Sequence, residues 1–184
     1  MNKRGSKLLW VSVSLAVLLI LAIFLYFALF NPNNQSVYSG QEIRNPAVNL
    51  TNEEAVIAFD ESFVFYLLYN LKAYNLHNPP LSSDYSKLEI NVGGEIFSAT
   101  VKKGVIAVSR EEILEKDAII KTTREEAVKM MRDKSYVAKS FNDGLSGMEL
   151  VASKTTLFAK GYLNLYNEII GKSVTGNLIR IITS

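Results

Sequence analysis

An α+β domain carried behind one apolar span is the architecture this sequence predicts, and three features predict it. Residues 8–30 run for twenty-three positions without a charge. Two two-residue turns, Gly93-Gly94 and Lys103-Gly104, separate segments in which apolar and polar side chains alternate. Capping-box sequences at Thr51 and at Thr122-Thr123 open helices on either side of those segments, and the apolar stretch 155–170 has helical spacing. The chain therefore reads as a cytoplasmic N-terminus (1–7), a transmembrane helix acting as signal anchor (8–30), a stalk (31–50) and an extracytoplasmic α+β domain (51–184). The sheet is expected to be mostly antiparallel and twisted, with about five strands and with helices packed on one face.

The apolar run makes a helix of about 34 Å, enough to cross a hydrocarbon core of about 30 Å with a modest tilt. Sixteen of its residues are Leu, Ile, Val or Phe, and their insertion is favourable by about 5 to 10 kcal/mol as an upper figure. Ser12 and Ser14 do not offset that. The run ends Phe27-Ala28-Leu29-Phe30, without the small-x-small site of a cleaved signal, so the anchor is expected to be retained. Lys3, Arg4 and Lys7 precede it with no acid among them, which places the N-terminus in the cytoplasm and the remainder outside the cell membrane, in a single pass. Trp10 and Tyr26 lie near the two ends, where amphipathic rings prefer the interface.

The same charges bound the partners. The first thirty residues hold three of the twenty basic groups and none of the eighteen acids, leaving seventeen basic and eighteen acidic groups, a net charge of −1, on the rest. Such a domain has no electrostatic reason to bind nucleic acid. The chain contains no cysteine, so disulfides and thiolate metal sites are excluded. Residues 31–50 are rich in Asn, Gln, Ser, Pro and Gly and read as a tether; Asn34-Gln35-Ser36 and Asn49-Leu50-Thr51 in it match the glycan acceptor pattern.

The domain follows in order. Thr51 caps a helix expected to reach Tyr74, with Val56, Phe59, Phe63 and Leu67 at helical spacing and a run from Phe63 to Tyr69 that is apolar on most sides. Asp60 shares the face of Val64 and Leu67 and so needs a partner or an edge position. The Gly93-Gly94 turn pairs Ile90 with Phe97 and Leu88 with Ala99; the Lys103-Gly104 turn pairs Val101 with Ile106 and Ala99 with Val108. Both registers put the apolar side chains on one face and leave the other wet. Residues 109–112 read as a short helical turn and 117–121 as a fourth strand. A helix with Ala127, Val128 and Met131 inward comes next, then a shorter one over 136–141 and a strand over 148–152. The stretch 155–170 reads as one helix with Phe158, Tyr162, Leu165 and Ile169 on its stripe, ending at Gly171, and 178–182 as a further strand.

From Asn52 to Ile170 this order resembles the sterol carrier protein-like, or non-specific lipid-transfer, family. The resemblance is carried by Asp117-Ala118-Ile119-Ile120-Lys121-Thr122-Thr123-Arg124-Glu125-Glu126, a strand running straight into a capped helix, and by Met148-Glu149-Leu150-Val151-Ala152 leading into Leu157-Phe158-Ala159-Lys160. It implies a five-stranded twisted sheet with helices on one face and an apolar tunnel between them. The usual solubility of the family, the long 74–86 loop and the tail after Gly171 depart from it.

The candidate ligand-lining residues are Phe59, Phe63, Leu67, Met131, Phe158, Tyr162 and Leu165, with Asp60 as a contact for a lipid headgroup. No catalytic, cofactor-binding or metal-binding residue is expected. His77 stands in a Pro/Asn loop without a nearby acid or nucleophile. The Glu pairs 53/54 and 125/126, and the Glu111/Glu112/Glu115 cluster, sit at helix starts, where the macrodipole favours negative charge. The function expected is therefore a non-enzymatic, membrane-tethered binding module for an apolar ligand, lipid or fatty acyl. The alternative is an assembly or interaction subunit of the cell envelope: Lys3-Arg4-Gly5 before an apolar helix resembles a prepilin cleavage site, although Trp10 stands where a glutamate belongs and Pro32 interrupts the helix.

Overall fold

The computed structural model describes residues 17–21, 43–79 and 82–171. The chain divides into two units, Met1–Gln35 and Ser36–Ser184. In the first, residues 17–21 are helical and exposed; the rest of the expected span lies outside the described residues, as do the expected strand 178–182 and most of the stalk. Among the described residues no helix is long and apolar enough to cross a membrane.

The second unit begins with two short helices, α1 (Asn52–Ile57) and α2 (Glu61–Asn70), followed by a 3-10 turn over Ala73–Asn75. Thr51 caps α1 through a complete capping box with Glu54. A single helix to Tyr74 was the expectation, and Asp60 is the reason for the break: its extended backbone and its carboxylate, which accepts from the amides of Ser62 and Phe63, start α2 afresh. α2 then buries Phe63, Val64, Leu67 and Leu68.

Five strands follow: β1 (Ser86–Val92), β2 (Glu95–Lys102), β3 (Val105–Ser109), β4 (Ala118–Thr122) and β5 (Gly147–Leu150), arranged β3-β2-β1-β4-β5. Both hairpin registers are those the turns dictate, with Ile90 opposite Phe97, Leu88 opposite Ala99, Val101 opposite Ile106 and Ala99 opposite Val108. Gly93, Gly94, Lys103 and Gly104 all have positive φ, as the hairpin turns that match strand twist require. The sheet is mixed rather than wholly antiparallel, because β4 pairs with β1 in parallel, Leu88 opposite Ala118 and Ile90 opposite Ile120, while β5 returns antiparallel to β4. To reach that position the connection 110–117 crosses from the β3 edge past β2 and β1, in place of the helical turn expected at 109–112. Lys116 ion-pairs there with Glu89, which points away from Leu88 and Ile90 and is 6% exposed.

α3 (Arg124–Arg132), capped by Thr123, buries Ala127, Val128, Met130 and Met131, and α4 (Tyr136–Asn142) buries Val137 and Ser140. The stretch read as one final helix is two, α5 (Lys154–Ala159) and α6 (Tyr162–Ile169). Gly161 causes the division, with φ 85° in the left-handed region. The core is a single apolar layer between the helices and one face of the sheet, including Leu88, Ile90, Val92, Phe97, Ala99 and Val101. Phe59 stacks tilted on Phe63 at 5.2 Å and edge-on to Phe97 at 6.4 Å.

Phe97 is fully buried, while Thr100 is on the opposite face. In urea unfolding, Phe97→Ala is expected to cost about 3 to 5 kcal/mol, against about 0.5 kcal/mol or less for Thr100→Ala. Equal costs would mean that both faces of the sheet are covered.

Candidate functional site

The apolar layer gathers most of the residues read as ligand-lining. Phe59, Phe63 and Leu67 enter it from the α1–α2 segment, Met131 from α3, and Tyr162 and Leu165 from α6; all are at most 3% exposed. Phe158 does not join them and is 69% exposed. The turn at Lys160-Gly161 shifts the helical phase between α5 and α6, so Tyr162, Leu165 and Ile169 keep their stripe inward and Phe158 is left outside it. Asp60 is not in the layer either. Its Oδ1 accepts from the Ser62 amide at 2.8 Å and the Ser62 hydroxyl at 2.6 Å, so its partner is the start of its own helix.

A buried charged pair borders the layer, and its cation is Lys160, 1% exposed. Its ammonium donates to both oxygens of Asp117 at 3.0 Å and to the Tyr85 carbonyl at 2.8 Å, and it meets Asp84 Oδ2 at 2.8 Å. Asp117, 3% exposed, also accepts from the Tyr162 hydroxyl at 3.1 Å and from the Lys87 amide at 2.8 Å. Burial, and next to it the negative charge of Asp117, push the Tyr162 hydroxyl well above the ordinary tyrosine range. The sequence carried a signal for this group, since Lys160 is an isolated charge in the apolar stretch 157–170 and Asp117 directly precedes an apolar strand. Neither is among the residues expected to form the site, because their pairing joins positions forty-three residues apart.

A second polar chain joins α3, α4 and the approach to β5. Thr122 and Ser146 hydroxyls are 2.8 Å apart, Ser146 and Ser140 hydroxyls 2.9 Å apart, and Ser140 donates to Glu126 at 2.9 Å. Glu126 also accepts from Tyr136 and Lys129. Burial alone would raise the Glu126 carboxyl, but the hydrogen bonds from Lys129, Ser140 and Tyr136 outweigh it and hold the group below its ordinary value of 4.5. A carboxylate so stabilised is a weak base, and Ser140 is wholly buried, so this pair is a brace between elements and not an activated nucleophile. Among the described residues no three His, Cys, Asp or Glu side chains gather as a metal site. His77 has its ring nitrogen 3.2 Å from the Asn75 carbonyl and lies against Gly161, where a Cβ would meet its ring at 3.0 Å.

No family model and no curated protein matches this chain. Solved structures similar to it include a double mutant of the sec-alkyl sulfatase PisA1, at 12% identity and a TM-score of 0.38 over 66% of this chain and 17% of that one. A UbiJ-SCP2 ubiquinone synthesis protein is similar at 14% identity and a TM-score of 0.36, over 59% of this chain and 90% of that one. The chain thus spans a small part of the sulfatase's length, and likenesses this weak carry no argument about activity.

Removing one partner of the buried pair leaves the other charge unpaired. Lys160→Met is expected to destabilise the fold by about 3 to 5 kcal/mol, with Asp117→Asn in the same chain recovering part of the loss; additive losses in calorimetry would mean that the two groups do not interact. Tyr162 sets a second expectation. Its hydroxyl is harder to ionise in the folded chain than in the unfolded one, so its contribution to stability should be constant below the ordinary tyrosine value of 10.0 and be lost as pH rises above it. Tyr162→Phe, although less stable at neutral pH, should show a shallower alkaline decline in a pH series of thermal melts.

Proposed function

We propose that this chain is a membrane-tethered binding module for an apolar ligand, a lipid or fatty acyl chain, and that it is not an enzyme. The observation that carries the reading is the apolar layer itself: aromatic and aliphatic side chains from α2, α3 and α6 meet over one face of a five-stranded sheet and are bordered by a buried cation. A largely apolar site with a few convergent polar groups is the usual composition of a small-molecule pocket. The five-stranded sheet with its helices packed on one face also agrees with what the resemblance to sterol carrier protein-like domains implies. The proposed anchor is residues 8–30, supported by its length, its lack of charge and the basic residues before it. It would hold the domain beside the outer leaflet of the cell membrane and supply a high local concentration of lipid.

The test is native mass spectrometry of the full chain released from nanodiscs, followed by uptake of a fluorescent acyl probe. The expected result is a stoichiometric lipid adduct, and probe uptake that Leu165→Trp abolishes with little change in thermal stability. In a solid core the same substitution would overpack the interior and cost about 1 to 3 kcal/mol, with no probe binding to lose. That outcome would leave an interaction or assembly subunit of the cell envelope.

A further inference from the structure

Lys160 has three N–H groups and three kinds of partner. Two are fixed. The Tyr85 carbonyl is main chain, and the Asp117 side chain is 4% exposed and holds the Lys87 amide and the Tyr162 hydroxyl besides. The third is different: Asp84 is 50% exposed, stands outside the strands and binds the ammonium at 2.8 Å. Asp117 already neutralises Lys160, so Asp84 brings a second negative charge to a single cation. Its alternative is hydration, which a half-exposed carboxylate regains at little cost.

We infer that Asp84 is a replaceable counter-ion, and that Lys160 is the headgroup site for an amphiphile ending in a single carboxylate. The inference rests on the apolar-ligand reading and deepens it. The ligand carboxylate takes the place of Asp84 on Lys160 Nζ, an exchange of one carboxylate for another that leaves the charge around the cation unchanged. The hydrocarbon chain then lies along Tyr162 and Leu165, which follow Lys160 on α6 and face the apolar layer. Phe158, two residues before Lys160 and 69% exposed, offers an apolar contact at the same end of the layer. An uncharged amphiphile gains nothing from this arrangement, because a hydroxyl head cannot replace the carboxylate on an ammonium without leaving the cation less well paired.

The experiment titrates the full chain in phosphatidylcholine nanodiscs with a pyrene-labelled fatty acid and with the alcohol of the same chain length, empty nanodiscs being subtracted. The wild-type chain should bind the acid about tenfold more tightly than the alcohol, what remains of one charge-assisted hydrogen bond once the weaker half-exposed Asp84 pair is given up. Asp84→Asn, at an exposed position, should tighten the acid by a further factor of about three or more while leaving the alcohol within about twofold. Lys160→Gln should erase the preference; where that variant fails to fold, Asp84→Asn decides. Acetate, which has the head without the chain, should not displace the acid. Equal binding of acid and alcohol that Asp84→Asn leaves unchanged overturns the headgroup site and keeps the apolar pocket. Displacement by acetate overturns it in favour of a small-anion site. Binding of neither probe overturns both readings.

Discussion

The carboxylate of Asp117 accepts from the Lys160 ammonium, the Tyr162 hydroxyl and the Lys87 amide, so one buried charge joins β1, β4 and the α5–α6 junction. The main chain at the same residue extends the joint. Its amide donates to the Lys87 carbonyl, and its own carbonyl accepts from Val151 and Ala152 as the chain leaves β5. A buried ion pair of this kind contributes little net stability compared with apolar residues of the same volume, since desolvation offsets the attraction. What it contributes here is position. β4 enters beside β1 in parallel and after a crossover, a pairing no short turn enforces, and the Lys87–Asp117 exchange of amide and carboxylate fixes where that pairing begins.

Two interruptions decide which side chains reach the interior. An uninterrupted helix from Thr51 to Tyr74 would hold Asp60 on the face of Val64 and Leu67, where an unpaired carboxylate is costly. Breaking the helix at Asp60 turns that liability into a cap and lets Phe59 and Phe63 stack against each other beneath α2. At the other end, Gly161 adopts a left-handed backbone against the His77 ring, and a Cβ there would crowd that ring at 3.0 Å. The resulting turn lets Lys160 point into the fold while α6 resumes with Tyr162 inward. Both breaks serve the polar groups, and the apolar stripes are rearranged around them.

This explains what was legible in the sequence and what was not. Hairpin registers were legible because a two-residue turn fixes which residues pair, and alternation then confirms the face. The strand and helix starts at Ala118 and Arg124 were legible from β-branched residues running into a threonine cap. The parallel placement of β4 was not, since nothing local distinguishes a crossover from another hairpin. Of the residues read as lining, Phe59, Phe63, Leu67, Met131, Tyr162 and Leu165 are buried in the apolar layer, where periodicity puts them. Phe158 was misplaced because helical periodicity assumes constant phase, which Gly161 breaks. The placements of Asp60 and Lys160 were not legible for a related reason. Each is a charge in an apolar stretch, and whether it caps a helix or enters the core depends on a partner distant in sequence, Asp117 being forty-three residues from Lys160.

The closed state of the interior bears on how a ligand would reach it. The six residues proposed to line a ligand are almost wholly buried, and side chains in such cores sit at crystal-like density, so a ligand would have to displace protein contacts rather than enter an open cleft. Displacement is easiest where partners are exposed and contacts few. On the described surface, that condition is met at the α5–α6 junction: α5 is six residues long and buries only Leu157, Phe158 stands in solvent, and Asp84 keeps half of its surface exposed while bound to a buried cation. The opposite border of the layer is held by the Glu126 network, whose carboxylate is saturated by Lys129, Tyr136 and Ser140. One border is therefore braced by a fully satisfied buried chain and the other by a cation with one half-exposed partner, so on the proposed reading a ligand would displace protein contacts at the Lys160 end first.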